Sequence, residues 1–371
     1  MRSVTDSGFV HAFPAVKGVQ AGRTFYIAMC PLGVVPKIFM FDEAEVPPEL
    51  RAQRTLNRAR VPAIARYLLN NIDNYVLSAL TASVDAKITF VPSAESGPMS
   101  SLGVMNIPMT SRILINDGQH RRAAIEEAIK HNQLLGHDNV PVLFFVDEGL
   151  TRSQQMFADL NKHAVRPSTS LGTLYDQRDE SARLARNLAV TCKPFLGMTE
   201  MEKSSISNRS TKLFALASIR LASRALLKLG KGMAVSEQQE ATAKSYWEEV
   251  AKNIPDWERA RNGEVTTANL REQTVHAHSL ALQALANVGT QLLADYPTAW
   301  KRKLTGLKSI DWSRSNTRLW EGRALTQGRL SKSAVTVAAT TAVLKQHLEL
   351  SLSSQESALL DRSRKKKTRA K

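Results

Sequence analysis

The sequence is poor in cysteine and in long apolar runs. Its 371 residues include two cysteines, Cys30 and Cys192, too few and too far apart for a disulfide framework or a cysteine metal cluster. We expect both thiols to be buried, with a partly exposed Cys30 as the alternative. The apolar stretch at 335–344 is short and rich in threonine, so a membrane-spanning helix is excluded there. Because residues 1–13 also lack the apolar core of a signal peptide, we expect a cytoplasmic protein.

The common signatures of catalytic sites are also missing. The sequence has no Gly-x-x-x-x-Gly-Lys-Ser/Thr phosphate loop, no His-Glu-x-x-His zinc motif and no cysteine pair at zinc-binding spacing. His276 and His278 stand two residues apart within a predicted helix, where they would point to different faces. We therefore predict packing or hydrogen-bonding roles for these histidines, no metal site, and no cofactor that the chain must carry.

Acidic residues are scarce relative to basic ones. The chain has 50 Lys and Arg against 34 Asp and Glu, which gives a formal net charge of +16. Residues 361–371 hold seven of these cations and one acid, so their net charge is +6 and the rest of the chain carries +10. A basic surface attracts nucleic acid or an anionic membrane, and the lack of a membrane segment favours nucleic acid.

The chain contains two regions of different character. Short strands alternate with helices over 1–166, which predicts an α/β or α+β domain, and 167–360 is predicted to be a mostly helical domain anchored by Trp247 and Trp257. The tail 361–371 is predicted to be disordered. The predicted strands are 24–30, 37–41, 87–91, 112–116 and 140–147, and a flexible loop is predicted at 93–104. The predicted helices are 61–70, 121–135, 151–163, 206–229, 236–253, 267–295 and 331–350.

The most informative segment joins the strand 112–116 to the helix 121–135. The chain turns there through Asp117 and Gly118. A turn of this kind leaves amide N–H groups unpaired at the positive end of a helix dipole, where phosphate binds readily. Glycine lets the backbone come close to a ligand. The junction is therefore predicted to hold an anion.

Polar side chains converge on the same turn. Cations at a helix start oppose the dipole, so they indicate an anionic partner. The alternative is an ordinary turn whose basic side chains are merely solvated. Asp117 is predicted to shape the turn through its side-chain oxygen, and together with His120 it would be catalytic in an enzyme. The predicted phosphate or nucleotide site consists of Arg60, Asp117, Gly118, Gln119, His120, Arg121 and Arg122.

At this turn the sequence also resembles a known family. Asp-Gly-Gln-His-Arg at 117–121 is the motif of the DGQHR-domain proteins, and most of the chain resembles the DndB family. The segments that carry this wider resemblance are Phe13–Ala15, Asn161–His163 with Arg166 and Pro167, Asp311–Arg314, and Trp320–Arg323. The resemblance implies a negative transcriptional regulator of a DNA phosphorothioate modification gene cluster. It implies promoter DNA as a partner, and the modification enzymes as further candidates.

The segment Gly118–Ala124 is also similar to motifs of the ParB/sulfiredoxin-like fold. ParB proteins carry Gly-Glu-Arg-Arg-x-x-Ala and sulfiredoxins carry Gly-Cys-His-Arg-x-x-Ala, and both bind nucleotide phosphates there. Gln119 stands in place of the reactive cysteine, so the thiol chemistry is not available, and in place of the glutamate, so the resemblance does not by itself imply CTP hydrolysis. The resemblance implies a ParB/sulfiredoxin-like amino-terminal domain in which Gly118, His120 and Arg121 bind phosphate.

Basic and amide side chains elsewhere are candidates for contact with DNA. Cations at the end of a helix also complement its dipole, which is the alternative role of those in 161–166. We expect double-stranded DNA as the ligand and a homo-oligomer as the binding form. The alternative function is an ATP hydrolase with magnesium, or a DNA-nicking enzyme, using the same pocket. The predicted DNA-binding residues are Arg58, Asn161, Lys162, Arg166, Arg209, Lys365, Lys366 and Lys367.

Overall fold

The computed structural model describes residues 9–39, 60–148, 152–162, 167–207, 209–230 and 232–368. The chain divides into two compact units, Met1–Val165 and Arg166–Lys371. The first unit contains a mixed seven-stranded sheet with helices, and the second is mainly helical. The predicted α/β or α+β region followed by a mostly helical region is confirmed, and the ParB/sulfiredoxin-like architecture stays a prediction. None of the helices in the described part of the chain has the length and apolar character that a bilayer crossing requires.

One sheet forms the centre of the first unit. Its strands are β1 (Val10–Gln20), β2 (Arg23–Pro31), β3 (Leu80–Asp85), β4 (Thr89–Pro92), β5 (Leu102–Pro108), β6 (Arg112–Asp117) and β7 (Asn139–Val146). They lie in the order β4-β5-β1-β2-β7-β3-β6. The β3–β7 pair is parallel and the other pairs are antiparallel. β3 is buried over most of its length because it lies between β7 and β6 and is apolar at alternate positions.

Helices cover this sheet and position the candidate site. They are α1 (Val35–Ile38), α2 (Val61–Asn70), α3 (Gln119–His131) and α4 (Ser153–Lys162). α2 and α3 pack against each other. Leu68 of α2 and Ile125 of α3 are fully buried in the same apolar core as Val84, Ile115 and Phe144 of the sheet. This shared burial fixes the starts of both helices at one edge of the core.

The second unit is a helical assembly around a separate apolar core. Trp247 and Trp257 are buried in it, as predicted, at 0% and 1% exposure. Short strand pairs are β8 (Thr199–Glu200) with β9 (Phe214–Ala215), and β10 (Leu325–Thr326) with β11 (Arg329–Leu330). The helices are α5 (Thr169–Tyr175), α6 (Glu180–Thr191), α7 (Leu216–Leu226), α8 (Glu237–Lys252), α9 (Asp256–Arg261), α10 (Thr267–Gln273), α11 (Ser279–Asp295), α12 (Trp300–Leu304), α13 (Thr317–Trp320), α14 (Ala334–His347) and α15 (Ser354–Thr368).

Both cysteines belong to these cores, as expected. Cys30 lies in β2 and Cys192 follows α6, and each is completely buried. Burial raises the pKa of each thiol to about 12. The thiols are therefore protonated at neutral pH and pack as small apolar groups.

Several strand predictions are confirmed, one is wrong, and one loop prediction holds only in part. The segment 37–41 was predicted as a strand, but its described residues begin in α1, where Pro36 at the helix start supplies a helical φ. The loop predicted at 93–104 contains a 3₁₀ turn at Pro98–Ser101 and the start of β5. The confirmed strands are 24–30, 112–116 and 140–147, and the strand predicted at 87–91 is present as the shorter β4.

The helix predictions fail where tertiary contacts interrupt a periodic segment. The segment 206–229 is helical only in α7, and 267–295 is divided into α10 and α11. The helix is interrupted between them by an isolated bridge from Thr274 to Ser313 and a turn over 275–278, and the Val275 amide donates to the Trp312 carbonyl at 2.9 Å. His276 and His278 therefore do not lie within a helix. The predictions at 61–70 and 236–253 are confirmed as α2 and α8. Disorder was predicted from residue 361, whereas α15 extends to Thr368.

His276 makes a buried polar network in the second unit. Its exposure is 0%, its Nδ1 accepts a hydrogen bond from Trp257 Nε1 at 3.1 Å, and its Nε2 lies 3.3 Å from Asp256 Oδ2. The tautomer that satisfies both contacts carries its proton on Nε2. This is the hydrogen-bonding role that the sequence predicted.

We expect His276→Ala to lower the free energy of unfolding by about 2–4 kcal/mol, because it leaves a void and a buried indole N–H without an acceptor. Urea unfolding followed by tryptophan fluorescence measures this change. The exposed His137 provides the control, and His137→Ala should shift the midpoint little. Equal stabilities of the two variants would contradict the structural role of His276.

Candidate anion-binding site

The strand-to-helix turn predicted from the sequence joins β6 to α3 at Gly118. Gly118 is the N-cap residue of α3, has a φ of +109°, and accepts a hydrogen bond from the Arg122 amide at 2.9 Å. Glycine has no side-chain oxygen with which to cap the helix, and the first turn contains no acidic residue. The positive end of the helix dipole is therefore unscreened at this position, as in sites that bind phosphate.

Gly118 lies in a space too small for any other residue. A Cβ atom at this position would lie 2.4 Å from Leu80 Cδ2 and 3.2 Å from Arg121 Nη2. Its backbone conformation also belongs to the left-handed region, which L side chains rarely adopt. The turn needs glycine for its conformation, and glycine also leaves room for the buried Leu80 side chain of β3.

Arg121 is a structural part of the site's wall. Its Nη1 donates to the carbonyl oxygens of Ser78 at 2.7 Å and Ala79 at 2.8 Å, and it also contacts the Ser78 hydroxyl. Its Nη2 pairs with Asp117 Oδ2 at 2.7 Å. The side chain is only 17% exposed. Arg121 thus holds the turn against the start of β3 and has its charge balanced by Asp117.

Arg122 is directed away from this group. Its guanidinium donates to the carbonyl oxygens of Pro36 at 2.8 Å and Phe39 at 3.2 Å, and pairs with Glu126 at 3.0 Å. It fastens α3 to α1 and does not line the cavity described next. The two arginines predicted to act together at the helix start therefore have different partners: Arg121 contacts the start of β3, and Arg122 contacts α1.

A cavity of about 400 Å³ lies between α2, the start of β3 and the β6–α3 turn. Arg60, the N-cap residue of α2, lines it together with His120. Burial and then the charge of Arg60 lower the pKa of His120, which Asp117 partly opposes. No carboxylate of the described residues lies within ion-pair distance of Arg60. The Asp117–Arg121 pair is neutral overall, so among the described lining residues the net positive charge comes from Arg60, with the α3 dipole adding to it.

The other side of this cavity is apolar. Ile64 and Tyr67 of α2 and Val76 and Leu77 before β3 form it. The Tyr67 hydroxyl accepts a hydrogen bond from the Val76 amide at 2.8 Å, which fixes the ring against the loop. A pocket with one cationic end and one apolar wall can hold a phosphate together with an attached organic group.

The structure gathers most of the predicted phosphate-site residues around one cavity. Of the predicted set, Gln119 lines it along with the groups described above, and Arg122 does not. The predicted catalytic pair, Asp117 and His120, borders the same space, with Asp117 engaged by Arg121. Among the described residues, no three His, Cys, Asp or Glu side chains are grouped as metal ligands.

The predicted DNA-binding residues are spread over both units. Arg209 is exposed in the segment before β9. Asn161 and Lys162 end α4, and Lys365–Lys367 lie in α15, but the side chains of all five are outside the described part. Arg58 and Arg166 also lie outside the described residues. The structure therefore brings most of the predicted phosphate-site residues together around one cavity. The assignment of the DNA-binding residues stays a prediction.

Sequence patterns did not identify two groups that shape the cavity. Ser78, whose carbonyl and hydroxyl hold Arg121, and Tyr67, which forms the apolar wall, come from segments without a motif. The alternation of apolar residues over Leu80–Val84 could have indicated β3 and hence the position of Ser78 just before it. Tyr67 gave no signal beyond its place on an amphipathic helix.

Comparison with known proteins identifies a family that the chain matches. The sequence model of the DndB family, described as DNA-sulfur modification-associated, matches residues 13–351. No curated protein and no solved structure matches the chain significantly. The family match includes the β6–α3 turn, the cavity around it and nearly all of the helical unit. The chain therefore belongs to the DndB family of proteins associated with DNA sulfur modification.

Proposed function

We propose that this protein is a DNA-binding negative transcriptional regulator of a DNA phosphorothioate modification gene cluster. The observation that carries the proposal is the electropositive cavity at the start of α3, where Arg60 and His120 flank an uncapped helix end. Membership of the family supports the link to DNA sulfur modification. The net charge of +16 suits a polyanionic ligand.

In this proposal the cavity takes one phosphate of the DNA backbone. Contacts to phosphate position a protein on DNA, and contacts to base edges or groove shape select the sequence. The exposed Arg209 and the basic residues 361–371 add further attraction to the backbone. Two copies of the chain bind a repeated or palindromic operator, and the modification enzymes are candidate protein partners.

A mobility-shift assay tests the proposal with the operon's own promoter fragment and an unrelated fragment of equal length. We expect a preference for the promoter of about 10³-fold or more. Truncation after Leu360 removes seven cations and should weaken binding to both fragments alike. Equal affinity of the full chain for the two fragments would contradict a regulator, and binding lost only in the truncation would assign DNA contact to the tail alone.

The lowered pKa of His120 predicts a pH dependence. In the free protein His120 is neutral at pH 7, and a bound phosphate favours the imidazolium and raises its pKa. Binding therefore takes up a proton, and the affinity for DNA should rise as the pH falls from about 8 to about 6.

The phosphodiester charge is constant over this range, so the trend reports protein groups. The comparison is the affinity of the wild type with that of His120→Gln, measured by fluorescence anisotropy at fixed ionic strength. The rise should be smaller in His120→Gln. An identical rise in both proteins would show that other histidines cause it.

The apolar wall favours one alternative, a nucleotide site that hydrolyses ATP or supports DNA nicking. Ile64, Tyr67 and Leu77 offer a surface for a base or sugar beside the cationic end. Incubation with ATP, magnesium and supercoiled DNA separates the two functions. Turnover or nicking that disappears in Asp117→Asn while promoter binding persists would favour the enzyme. No turnover with intact promoter binding would favour the regulator.

A further inference from the structure

A second cavity lies wholly within the helical unit. Its volume is about 520 Å³, within the range of about 300–1,000 Å³ found for small-molecule sites. Its walls come from the segment 204–206, the β9–α7 junction, α10 and the start of α11, with Arg314 from the segment before α13. Serine hydroxyls line part of the wall, and the buried Leu213 and Phe214 line another part. The cavity is thus both polar and apolar.

Two arginines give this cavity a positive charge. Arg271 is 8% exposed and donates to carbonyl oxygens in the segment 207–212. Arg314 donates to the Glu272 carbonyl at 3.0 Å and the Gly328 carbonyl at 3.3 Å. These carbonyl acceptors are neutral, so the contacts of Arg314 orient its guanidinium without cancelling its charge. The acid on the cavity wall is Glu272, whose side chain is exposed.

The imidazole in the wall adds no charge of its own. His278 lies beside both arginines, and burial lowers its pKa to about 4. Its Nε2 lies 2.7 Å from the Arg271 carbonyl oxygen, so Nε2 carries the hydrogen and donates a hydrogen bond to that oxygen. The arginine charges are thus present beside a neutral imidazole at physiological pH.

The helices that begin at the cavity add to its positive potential. α7 and α11 both start there, and near their other ends the Thr290 hydroxyl of α11 donates to the Ala225 carbonyl of α7 at 2.8 Å. The two helices are therefore packed side by side in the same direction. The Ser170 hydroxyl satisfies the Ala217 amide in the first turn of α7. Adjacent parallel dipoles are unfavourable at their like ends, and an anion between those ends offsets this repulsion.

We propose that this cavity binds a small molecule that carries a phosphate group. The phosphate lies against Arg314 and the start of α11, where Ser279 offers a hydroxyl. The apolar wall formed by Leu213 and Phe214 contacts the organic part of the molecule, and the Glu272 carboxylate accepts from a hydroxyl or amino group. This proposal concerns a site in the second unit and does not rest on the proposed function of the first.

The test is a calorimetric titration with inorganic phosphate and with AMP. It uses the full-length double variant Arg60→Gln/His120→Gln as the parent, so that the first cavity does not contribute to the signal. In this parent, Ser279→Asp places a negative charge at the first residue of α11. An acid at that position is favourable for the helix but repels a bound anion. We therefore expect AMP affinity to fall by about tenfold or more while the melting temperature stays the same or rises.

A matched control is Ser354→Asp, which adds the same charge at the first residue of α15, outside the cavity. It should leave AMP affinity unchanged. Arg314→Gln is the second cavity variant, and it should weaken both ligands. The proposal is overturned if the parent binds neither phosphate nor AMP, or if Ser279→Asp binds as tightly as Ser354→Asp. It is also overturned if only duplex DNA competes for the Arg314-dependent site, which would assign the cavity to the DNA backbone.

Discussion

Gly118→Ala is expected to lower the free energy of unfolding by about 2–4 kcal/mol. Part of this cost comes from the left-handed backbone at φ +109°, and part from the new Cβ, which would lie 2.4 Å from Leu80 Cδ2. Relief of that overlap requires the buried Leu80 side chain to shift, or β3 or the start of α3 to move, and either change should disturb the phosphate end of the cavity. Chemical unfolding of purified protein measures the first effect, and a DNA titration the second.

Gly263→Ala is the matched control for this change. Gly263 follows the end of α9 and also has a positive φ, +78°, but nothing lies within 4 Å of a Cβ built there. It should therefore lose only the backbone contribution of about 1–2 kcal/mol. If the two alanine variants were equally stable, the close packing of Gly118 against β3 would not matter in solution.

Arg121→Ala should be about as damaging, at about 2–4 kcal/mol, because it removes a charged donor from several acceptors at once. The change leaves the carbonyls of Ser78 and Ala79 without their guanidinium partner and leaves Asp117 as an uncompensated charge. DNA binding should weaken as a consequence of the displaced turn. Thermal and urea unfolding report the stability, and amide exchange near the start of β3 reports the local loosening.

Arg112→Ala provides the comparison for Arg121. Arg112 also pairs with an aspartate, Asp85 at 2.8 Å, but its side chain is 64% exposed. A solvent-exposed pair of this kind contributes about 0–1 kcal/mol. Similar losses of unfolding free energy in the two variants would mean that Arg121 forms an ordinary surface ion pair and that its carbonyl contacts do not stabilise the fold.

The local part of the site could be predicted from the sequence because its signals are contiguous. An apolar strand, a glycine and an amphipathic helix within 112–131 fix the β6–α3 turn, and the structure has that turn. The start of α2 was equally clear, since Pro62 follows Arg60 at the head of an apolar periodic segment. Residues that are neighbours in the sequence determine both the β6–α3 turn and the start of α2.

The partners of each arginine could not be predicted in the same way. Arg121 and Arg122 are neighbours with the same side chain, yet one contacts the start of β3 and the other contacts α1. These partners are 43 and 86 residues away in the chain. Their contacts arise from the sheet order and from helix packing, which no local pattern encodes. The sequence therefore suggested a larger cluster of available cations than the fold provides.

Long-range contacts also explain the misplaced elements. The segment 267–295 has helical periodicity throughout, but the helix is interrupted where the Val275 amide bonds to the Trp312 carbonyl. That interruption creates the buried position of His276 and brings His278 to the second cavity. The prediction that these histidines point to different faces assumed a helix. In the structure both lie outside the helices, with His276 bonded to Trp257 and His278 on the wall of the second cavity.

The central claim is that the cavity beside Gly118 binds a DNA phosphate through Arg60 and His120. The most direct test compares promoter affinity of Arg60→Gln/His120→Gln with that of Arg66→Gln, by fluorescence anisotropy over a series of salt concentrations. Arg66 lies in α2, is exposed and does not line the cavity. Arg66→Gln removes one positive charge, which equals the formal charge that the double variant loses when His120 is neutral. The account predicts that the double variant loses about tenfold or more in affinity relative to Arg66→Gln, with a shallower salt dependence than the wild type. Equal affinities of the two variants, with unchanged folding, would contradict it.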